Sequence, residues 1–389
     1  MTATTTGTTN GTESSGGSPT SAAAGKSTYR AVALDLDGTL LNGRHRLSSR
    51  TVRGLRDLHE GGVRIIFATG RAISTVYEHI ASLGLPAALP VVCSNGAAGL
   101  LCRVVDSDDR SDPKAPSMTS RSQQQQQQQQ QEHDEDDDVV TVHVDGGRVV
   151  QVRSQRLFLT TVPQPVVRAA IRVATRLRHV VQYYVRDEIY ANPSAASHHR
   201  LTEEYMRLTG SRTIYVPSQD FESHVTALGE PTKVLILFPP SEQDHVLQSL
   251  EHELSLSLQN GNANNSSASV HAPPKVATLI RGHLGWFCEV LHPHVHKGAG
   301  LERLCTQHLH VPLSQVVAFG DGDNDIEFLQ MSGRGIAMQN ARTVVKDVAD
   351  EVIEYTNDED GVIRTLCEMK KRGLFSCSIT QPSTEIIDP

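Results

Sequence analysis

The segment AVALDLDGTLL, residues 31–41, decides how the chain folds. Its first four residues are apolar and predict a buried strand, and two carboxylates follow at Asp35 and Asp37. Residues two apart on an extended chain point to the same side. Open α/β sheets bind ligands at the carboxyl ends of their parallel strands. The segment therefore predicts a site where one carboxylate attacks a substrate and the other moves a proton.

Length and composition restrict the class of protein. The chain has 389 residues, of which 38% are hydrophobic and 4% aromatic, and its formal net charge is −8. Residues 101–138 alone carry ten acidic and four basic side chains, so the remainder is close to neutral. The sequence has no basic stripe with interleaved aromatic residues, which argues against nucleic-acid binding. No apolar run is long enough for a membrane helix, and residues 1–28 do not resemble a secretory signal.

The six cysteines are scattered along the chain, and none forms a CxxC pair. Several of them lie in apolar runs, which is typical of buried, reduced thiols. We therefore expect a cytoplasmic protein.

Strand and helix patterns alternate near both ends of the chain, which predicts an α/β fold with a parallel sheet and helices on both faces. The predicted strands are 29–34, 63–68, 90–93, 316–319 and 335–338, and the predicted helices are 48–60, 73–83, 297–308 and 326–331. The middle of the chain has its own strand and helix patterns, which predict a smaller inserted α/β unit. Two polar segments, a glutamine-rich and acidic one at 106–138 and an asparagine-rich one at 258–274, are predicted to be disordered.

Polar groups follow the ends of several predicted strands. Besides the pair in the first segment, they are Thr69-Gly70, Asn95-Gly96, Lys297 at a helix start, and the acidic segment 320–325. Each of these alone is more often a cap or a turn. In a doubly wound sheet, however, these positions meet at one edge. Together they supply the groups that phosphoryl transfer needs.

Attack on a phosphate ester by a carboxylate requires a divalent cation, because the ester repels an anionic nucleophile. Asp35, the backbone carbonyl of Asp37, and Asp321 can supply the hard oxygen ligands that Mg²⁺ prefers. Asp325 is predicted to orient Lys297 or to accept a hydrogen bond from metal-bound water.

The phosphoryl oxygens need hydrogen-bond donors and positive charge. Thr69 can donate its hydroxyl and Gly70 its backbone N–H to these oxygens. Lys297 can neutralise charge on the phosphoryl group in the transition state, and Asn324 can add an amide contact.

Five segments together resemble the haloacid dehalogenase superfamily, and their order is similar to that of its Cof-type phosphatase branch. They are DLDGTLL at 35–41, ATGR at 68–71, SNGA at 94–97, KG at 297–298 and GDGDND at 320–325. Agreement of all five in this order makes the resemblance specific. It implies a Rossmann-like parallel-sheet core at 29–97 and 284–370, with an α/β cap domain inserted at 98–283. The remaining segments, 1–28 and 371–389, are then tails, the first of them disordered.

The resemblance also implies roles for single residues. Asp35 would be the nucleophile that forms an aspartyl-phosphate, and Asp37 would be the acid for the leaving group and then the base for water. The implied Mg²⁺ ligands are Asp35, the Asp37 carbonyl and Asp321, and the implied phosphate contacts are the Leu36 backbone, Thr69, Gly70, Lys297 and Asn324. The implied reaction is magnesium-dependent hydrolysis of small phosphorylated metabolites, such as sugar phosphates, with the cap selecting the substrate.

Other functions remain compatible with the sequence. A phosphomutase of the same superfamily would pass the phosphoryl group to a second hydroxyl. A regulatory or binding protein would keep the fold without turnover, although the intact Asp35/Asp37 pair argues against it. A zinc site at the alternating His292, His294 and His296 is a weaker alternative, because no other ligand cluster accompanies these histidines.

Overall fold

The computed structural model describes residues 28–105, 137–144, 147–261, 275–282 and 285–375. The two predicted tails and the two polar inserts therefore lie mostly outside the described residues, although 258–261, predicted to be disordered, end a helix. The described chain forms two β-sheets, one of nine strands and one of six, and both carry helices. The predicted α/β class is confirmed.

The nine-stranded sheet is parallel over most of its width. Its strands are β1 (Ala31–Leu34), β2 (Arg64–Ala68), β3 (Leu89–Cys93), β4 (Ala98–Val105), β5 (Asp137–His143), β6 (Val149–Leu159), β13 (Val316–Gly320), β14 (Arg334–Ala337) and β15 (Glu351–Val352). Their order is β15-β14-β13-β1-β2-β3-β4-β6-β5, and the strands from β15 to β3 are parallel. β1 lies near the centre, where Val32 pairs with Val317 on one side and with Ile65 on the other.

Helices pack on this sheet to form the core domain. They are α1 (Ser49–Glu60), α2 (Tyr77–Leu83), α7 (Lys297–Arg303), α8 (Ile326–Met331), α9 (Thr343–Lys346) and α10 (Gly361–Lys371). The Ser48 hydroxyl caps α1 by accepting a hydrogen bond from the Thr51 amide at 3.0 Å, and Gly84 ends α2 with φ 54°. α7 continues as a π-helical turn over Leu304–Leu309, so the helix predicted at 297–308 is confirmed.

The six-stranded sheet and its helices form a second unit, the cap domain (160–291). The strands are β7 (Val180–Val185), β8 (Glu188–Ala191), β9 (Ile214–Tyr215), β10 (Lys233–Leu237), β11 (Thr278–Arg281) and β12 (Phe287–Leu291), and the helices are α3 (Gln164–Leu177), α4 (Ala196–Thr209), α5 (Phe221–Ala227) and α6 (Gln243–Gly261). The strand order is β11-β12-β10-β7-β8-β9. Within the described ranges, no helix has both the length and the apolar character needed to cross a lipid bilayer.

Two parts of the chain join a different sheet from the one that the sequence predicts. β4, β5 and β6, expected within a cap at 98–283, extend the core sheet instead. The reason is the tight 3₁₀ turn at Ser94–Gly96, which returns β4 antiparallel onto β3. Conversely β12, expected in the core domain, pairs with β10 and β11 of the cap domain. β5 and β6 form an antiparallel pair at the edge of the core sheet.

Candidate active site

The predicted site residues lie at one edge of the nine-stranded sheet, where its parallel strands end. Asp35 directly follows β1, Thr69 follows β2, and Asp321 follows β13. The Asp35 amide donates to the Phe319 carbonyl at 3.1 Å, which extends the pairing of β1 with β13 by one residue. The turn that contains Asn95 follows β3 at the same edge.

A buried lysine connects two carboxylates at the centre of this edge. Lys297 begins α7 and is fully buried, and its Nζ donates to Asp35 Oδ1 at 2.6 Å and to Asp325 Oδ1 at 2.5 Å. Burial raises the pKa of Asp35 well above its ordinary value, although Lys297 opposes this shift. Burial lowers the pKa of Lys297, but the two carboxylates outweigh it and hold that pKa above its ordinary value. Lys297 is therefore a fixed positive charge beside Asp35.

Asp321 adds a third carboxylate to this group. Asp35, Asp321 and Asp325 offer carboxylate oxygens within 4.8 Å of one another. Asp321 Oδ1 accepts a hydrogen bond from the Thr39 hydroxyl at 2.7 Å. The backbone amides of Asp321 and Gly322 donate to Asp325 Oδ2 at 3.0 and 2.9 Å. Asp325 thus makes the contact with Lys297 that the sequence predicts and also lies within the carboxylate cluster.

This cluster fits a hard divalent cation. Gly38 has φ 77°, and a Cβ at this position would overlap the Asp321 carboxylate, so glycine is needed for the close approach. Burial, together with the charge of Asp325, raises the pKa of Asp321 to about 7. Desolvated carboxylates this close together repel one another, and a bound cation would relieve that repulsion. Oxygen donors of this kind are those that Mg²⁺ prefers.

Asp37 has a different environment from Asp35. Its carboxylate accepts hydrogen bonds from Arg71 Nε at 2.6 Å and Arg71 Nη2 at 2.5 Å, and His45 Nδ1 lies 3.1 Å from its Oδ1. Desolvation raises the pKa of Asp37, but the hydrogen bonds from Arg71 and His45 outweigh it and hold that pKa well below its ordinary value. Asp37 is therefore a carboxylate paired with a guanidinium. The sequence analysis did not identify either partner, although Arg71 directly follows Thr69-Gly70.

The candidate phosphate contacts surround these carboxylates. Thr69 Oγ1 accepts a hydrogen bond from the Arg71 amide at 3.1 Å, which leaves the hydroxyl hydrogen to donate elsewhere. Asn324 Nδ2 donates to Asn95 Oδ1 at 2.8 Å. The carbonyl of buried Leu36 accepts from the amides of residues 40 and 41 at 3.0 and 2.8 Å, which forms the turn after β1.

A cavity of about 500 Å³ lies between the two sheets, next to these residues. Asp35, Asp37 and Gly70 line it from the core domain, and Tyr205 and Trp286 line it from the cap domain. The cavity therefore gives a bound molecule access to the carboxylates while both domains contact it.

Two charged residues at the domain junction were missed by the sequence analysis. Lys233 and Glu289 are buried, line the same cavity, and form an ion pair with an Nζ–Oε1 distance of 2.6 Å. Both lie in otherwise apolar strands, β10 and β12. An isolated charge in such a strand is itself a signal, because unpaired charges are almost never fully buried.

The histidines before α7 have local structural contacts. His296 caps α7, since its Nδ1 accepts a hydrogen bond from the Ala299 amide at 3.2 Å. His292 Nδ1 accepts from the His294 amide at 3.2 Å. In the described part of the chain, the acidic cluster is the one group of three or more side chains suited to a metal. The zinc alternative therefore gains no support from the described residues.

The chain belongs to the haloacid dehalogenase-like hydrolases, because the model of that family matches residues 32–99 and 118–366. The resemblance found from the motifs is thereby confirmed. A curated relative, 5-amino-6-(5-phospho-D-ribitylamino)uracil phosphatase YitU of Bacillus subtilis, is 25% identical over 339 residues, which are 87% of this chain and 96% of that protein.

Two further comparisons cover most of the chain. HMP-PP phosphatase of Yersinia enterocolitica is 24% identical over 322 residues, covering 82% of this chain and 86% of that protein. The solved structure of the HAD subclass IIB sugar phosphatase BT4131 has a TM-score of 0.59 at 19% identity, covering 89% of this chain and 100% of that one. This structural likeness shows that the two chains share a fold.

Proposed function

We propose that the chain is a magnesium-dependent phosphatase that hydrolyses small phosphorylated metabolites through an aspartyl-phosphate on Asp35. The observation that carries this proposal is the buried contact of Lys297 with Asp35 and Asp325, beside the Asp321 carboxylate. It combines a nucleophile, a fixed positive charge and oxygen ligands at one sheet edge. Membership of the hydrolase family and the relatives named as phosphatases support it.

In the first step, a carboxylate oxygen of Asp35 forms a bond to phosphorus, and the bond from phosphorus to the leaving oxygen breaks. Asp37 gives its proton to that oxygen, so the leaving group departs as an alcohol. The Lys297 ammonium, the Thr69 hydroxyl and the Gly70 amide offset the charge on the phosphoryl oxygens. The backbone amide of Leu36 and the side chain of Asn324 are assigned to the same oxygens.

Asp35, Asp321 and the backbone carbonyl of Asp37 are the groups that we assign to Mg²⁺. When bound there, the cation lowers the repulsion between the carboxylate and the phosphate ester and stabilises the charge of the transition state.

In the second step, Asp37 takes a proton from water while the water oxygen forms a bond to phosphorus. The bond between phosphorus and Asp35 breaks, which releases inorganic phosphate and restores the carboxylate. The ionised Asp37 paired with Arg71 suits this role as a base. Proton donation in the first step requires that the Arg71 contact opens, because a carboxylate bound by a guanidinium has no proton to give.

The cavity supports a small substrate. Its volume of about 500 Å³ is within the usual range for metabolite sites, roughly 300–1,000 Å³. Relatives are named as phosphatases of a phosphoribitylamino-uracil, of HMP-PP and of sugars. We accordingly assign the substrate to the class of small phosphorylated metabolites that contain a ring or a polyol.

The test is hydrolysis of p-nitrophenyl phosphate and of a phosphorylated-metabolite panel by the purified protein with Mg²⁺. Asp35→Asn should abolish turnover while the melting temperature stays close to that of the wild type. Asp347→Asn, an exposed carboxylate after α9, is the matched control and should retain full activity. Substantial hydrolysis by Asp35→Asn would refute the nucleophile assignment.

Product analysis separates the alternatives. Isomerisation of a sugar phosphate without release of inorganic phosphate would show a phosphomutase. Absence of turnover on the whole panel, with Mg²⁺ present, would favour a regulatory or binding protein.

A further inference from the structure

A buried ion pair of the cap domain lies directly against the candidate phosphate-binding loops. Lys233 begins β10 and Glu289 lies in the middle of β12, with 1% and 5% of their surfaces exposed. Leu235 of β10 pairs with Glu289 of the antiparallel β12. Since Lys233 is two residues from Leu235, its side chain lies on the same sheet face as Glu289. The Nζ of Lys233 donates to Glu289 Oε1 at 2.6 Å.

Both members of the pair also bind the core domain. Lys233 Nζ donates to the Gly70 carbonyl at 3.0 Å. Glu289 Oε2 accepts from Asn95 Nδ2 at 2.5 Å, and Asn95 Oδ1 accepts from Asn324 Nδ2 at 2.8 Å. A continuous series of hydrogen bonds therefore runs from the cap sheet to two loops of the core sheet edge.

The contact of Lys233 fixes the peptide group between Gly70 and Arg71. The carbonyl of this peptide accepts from Lys233, and its N–H donates to Thr69 Oγ1 at 3.1 Å. A hydroxyl oxygen that accepts this bond keeps its hydrogen free to donate. Lys233 thereby influences the direction in which Thr69 offers its hydroxyl.

The contact of Glu289 fixes the amide of Asn95. A carboxylate only accepts hydrogen bonds, so Glu289 selects the orientation in which Asn95 Nδ2 faces it and Oδ1 faces Asn324. The backbone of Asn95 has φ 56°, in the left-handed region, and its backbone N–H donates to the Thr69 carbonyl at 3.1 Å. The two loops are thus connected to each other as well as to the cap domain.

A contribution to the free energy of folding is a poor explanation for the presence of this buried ion pair. Replacing a buried ion pair by apolar residues of similar volume is often neutral or stabilising. The contacts of Lys233 and Glu289 with a carbonyl and an amide, in contrast, act on the direction of groups that face the cavity.

We infer that Lys233 and Glu289 are positioning residues that hold Thr69, Gly70 and Asn324 in the geometry that binds the phosphoryl group. They do so only while the cap domain lies against the core domain, because both belong to the cap sheet. Phosphate binding and domain closure therefore stabilise each other, since coupling between two sites is reciprocal. This inference rests on the proposed function, because it concerns the same phosphate site.

The full-length chain allows a direct binding experiment. Trp286 is the one tryptophan of the sequence and lines the cavity from the cap domain, so its fluorescence can report phosphate binding without turnover. Inorganic phosphate is titrated in the presence of Mg²⁺, and its inhibition constant against p-nitrophenyl phosphate is measured in parallel. Melting temperatures are recorded for every variant.

Three variants separate positioning from stability. Glu289→Gln leaves one acceptor oxygen for two donors and should weaken phosphate binding about tenfold or more. The double variant Lys233→Met/Glu289→Leu leaves neither charge of the pair and should melt no lower than Glu289→Gln, while its phosphate binding stays weakened by the same factor or more. Glu253→Gln, which alters an ion pair with Arg172 and Arg176 between α3 and α6, is the matched control and should leave phosphate binding unchanged.

Wild-type phosphate affinity in the double variant would overturn the inference. So would a Glu289→Gln protein whose melting temperature falls while its phosphate affinity and kcat/KM stay at wild-type values. A wild-type protein that neither binds inorganic phosphate nor hydrolyses any ester would instead refute the proposed function, so the two failures are distinguishable.

Discussion

Replacement of Lys297 by methionine is expected to destabilise the protein strongly in the absence of divalent cations. The lysine is fully buried, and its Nζ lies 2.6 Å from Asp35 Oδ1 and 2.5 Å from Asp325 Oδ1. Methionine retains most of the apolar stem but leaves both carboxylates without this charge. Removal of one partner from a buried ion pair costs about 3–5 kcal/mol. We expect the upper part of this range, because two carboxylates share the one ammonium group.

The loss should depend on Mg²⁺. A cation bound among the carboxylates offsets their charge in the native state, and a ligand that binds only the native state stabilises it by RT ln(1 + [L]/Kd). At a concentration of about 100 times Kd, this gain is about 2.7 kcal/mol. Without Lys297 the carboxylates attract a cation more strongly, so the variant should gain more from Mg²⁺ than the wild type does.

The assay is chemical denaturation at neutral pH, once in EDTA and once in excess Mg²⁺. Lys371→Met, at the exposed end of α10, is the control and should change the free energy of unfolding by no more than about 0.5 kcal/mol. A loss below about 1 kcal/mol for Lys297→Met in EDTA would contradict the buried pairing, because it is well under the cost of breaking such a pair. An equal gain from Mg²⁺ in the variant and the wild type would contradict the assignment of the metal to these carboxylates.

Three other features of the chain give further tests. Burial and the charge of Arg71 lower the pKa of His79 from 6.5 to about 4. The neutral imidazole is therefore favoured in the native state, so His79 should lower the free energy of unfolding by about 3 kcal/mol as the pH drops from 6.5 to about 4. His79→Gln should remove this part of the pH dependence in a series of denaturation curves. Gly38→Ala should raise the Mg²⁺ concentration for half-maximal hydrolysis about tenfold or more, because the Cβ would displace Asp321, and an unchanged Mg²⁺ midpoint would be inconsistent with this. Replacement of residues 106–136 by a linker of about 12 residues should leave the melting temperature unchanged. The flanking strands β4 and β5 both pair with β6, so the linker can span the distance between their ends. Insoluble protein would contradict this expectation.

The core domain could be predicted because its signals are local. Each apolar run at 31–34, 63–68 and 316–319 is followed by a turn and then by a helical pattern, and this alternation defines a parallel sheet. Sheet membership of β12 could not be predicted in this way. Apart from Glu289, the residues of Phe287–Leu291 are apolar and would suit a strand of either sheet. Only the hydrogen bonds with β10 and β11 decide which sheet they join.

In the candidate site, too, some residues could be predicted from local sequence and others could not. Asp35, Thr69 and Asp321 could be placed together because each directly follows a strand, and parallel strands end at a common edge. The partners of Asp37 and Glu289 could not be predicted, since Arg71 is 34 residues from Asp37 and Lys233 is 56 residues from Glu289. Neither pairing follows from periodicity, because the first depends on how the loops after β1 and β2 meet and the second on the register of β10 with β12.

The two carboxylates of the first segment have pKa values shifted in opposite directions although only one residue separates them. Asp35 is buried beside Lys297, whereas the Asp37 side chain is 41% exposed and accepts two hydrogen bonds from Arg71. The same guanidinium donates through Nη1 to the Thr209 carbonyl at 3.0 Å, at the end of the cap helix α4. Any movement that separates Thr209 from Arg71 therefore also changes the surroundings of Asp37. Asp37, the group assigned to proton transfer, is thus connected to the cap domain through the side chain of Arg71. This arginine directly follows Thr69 and Gly70, which are assigned to the phosphate.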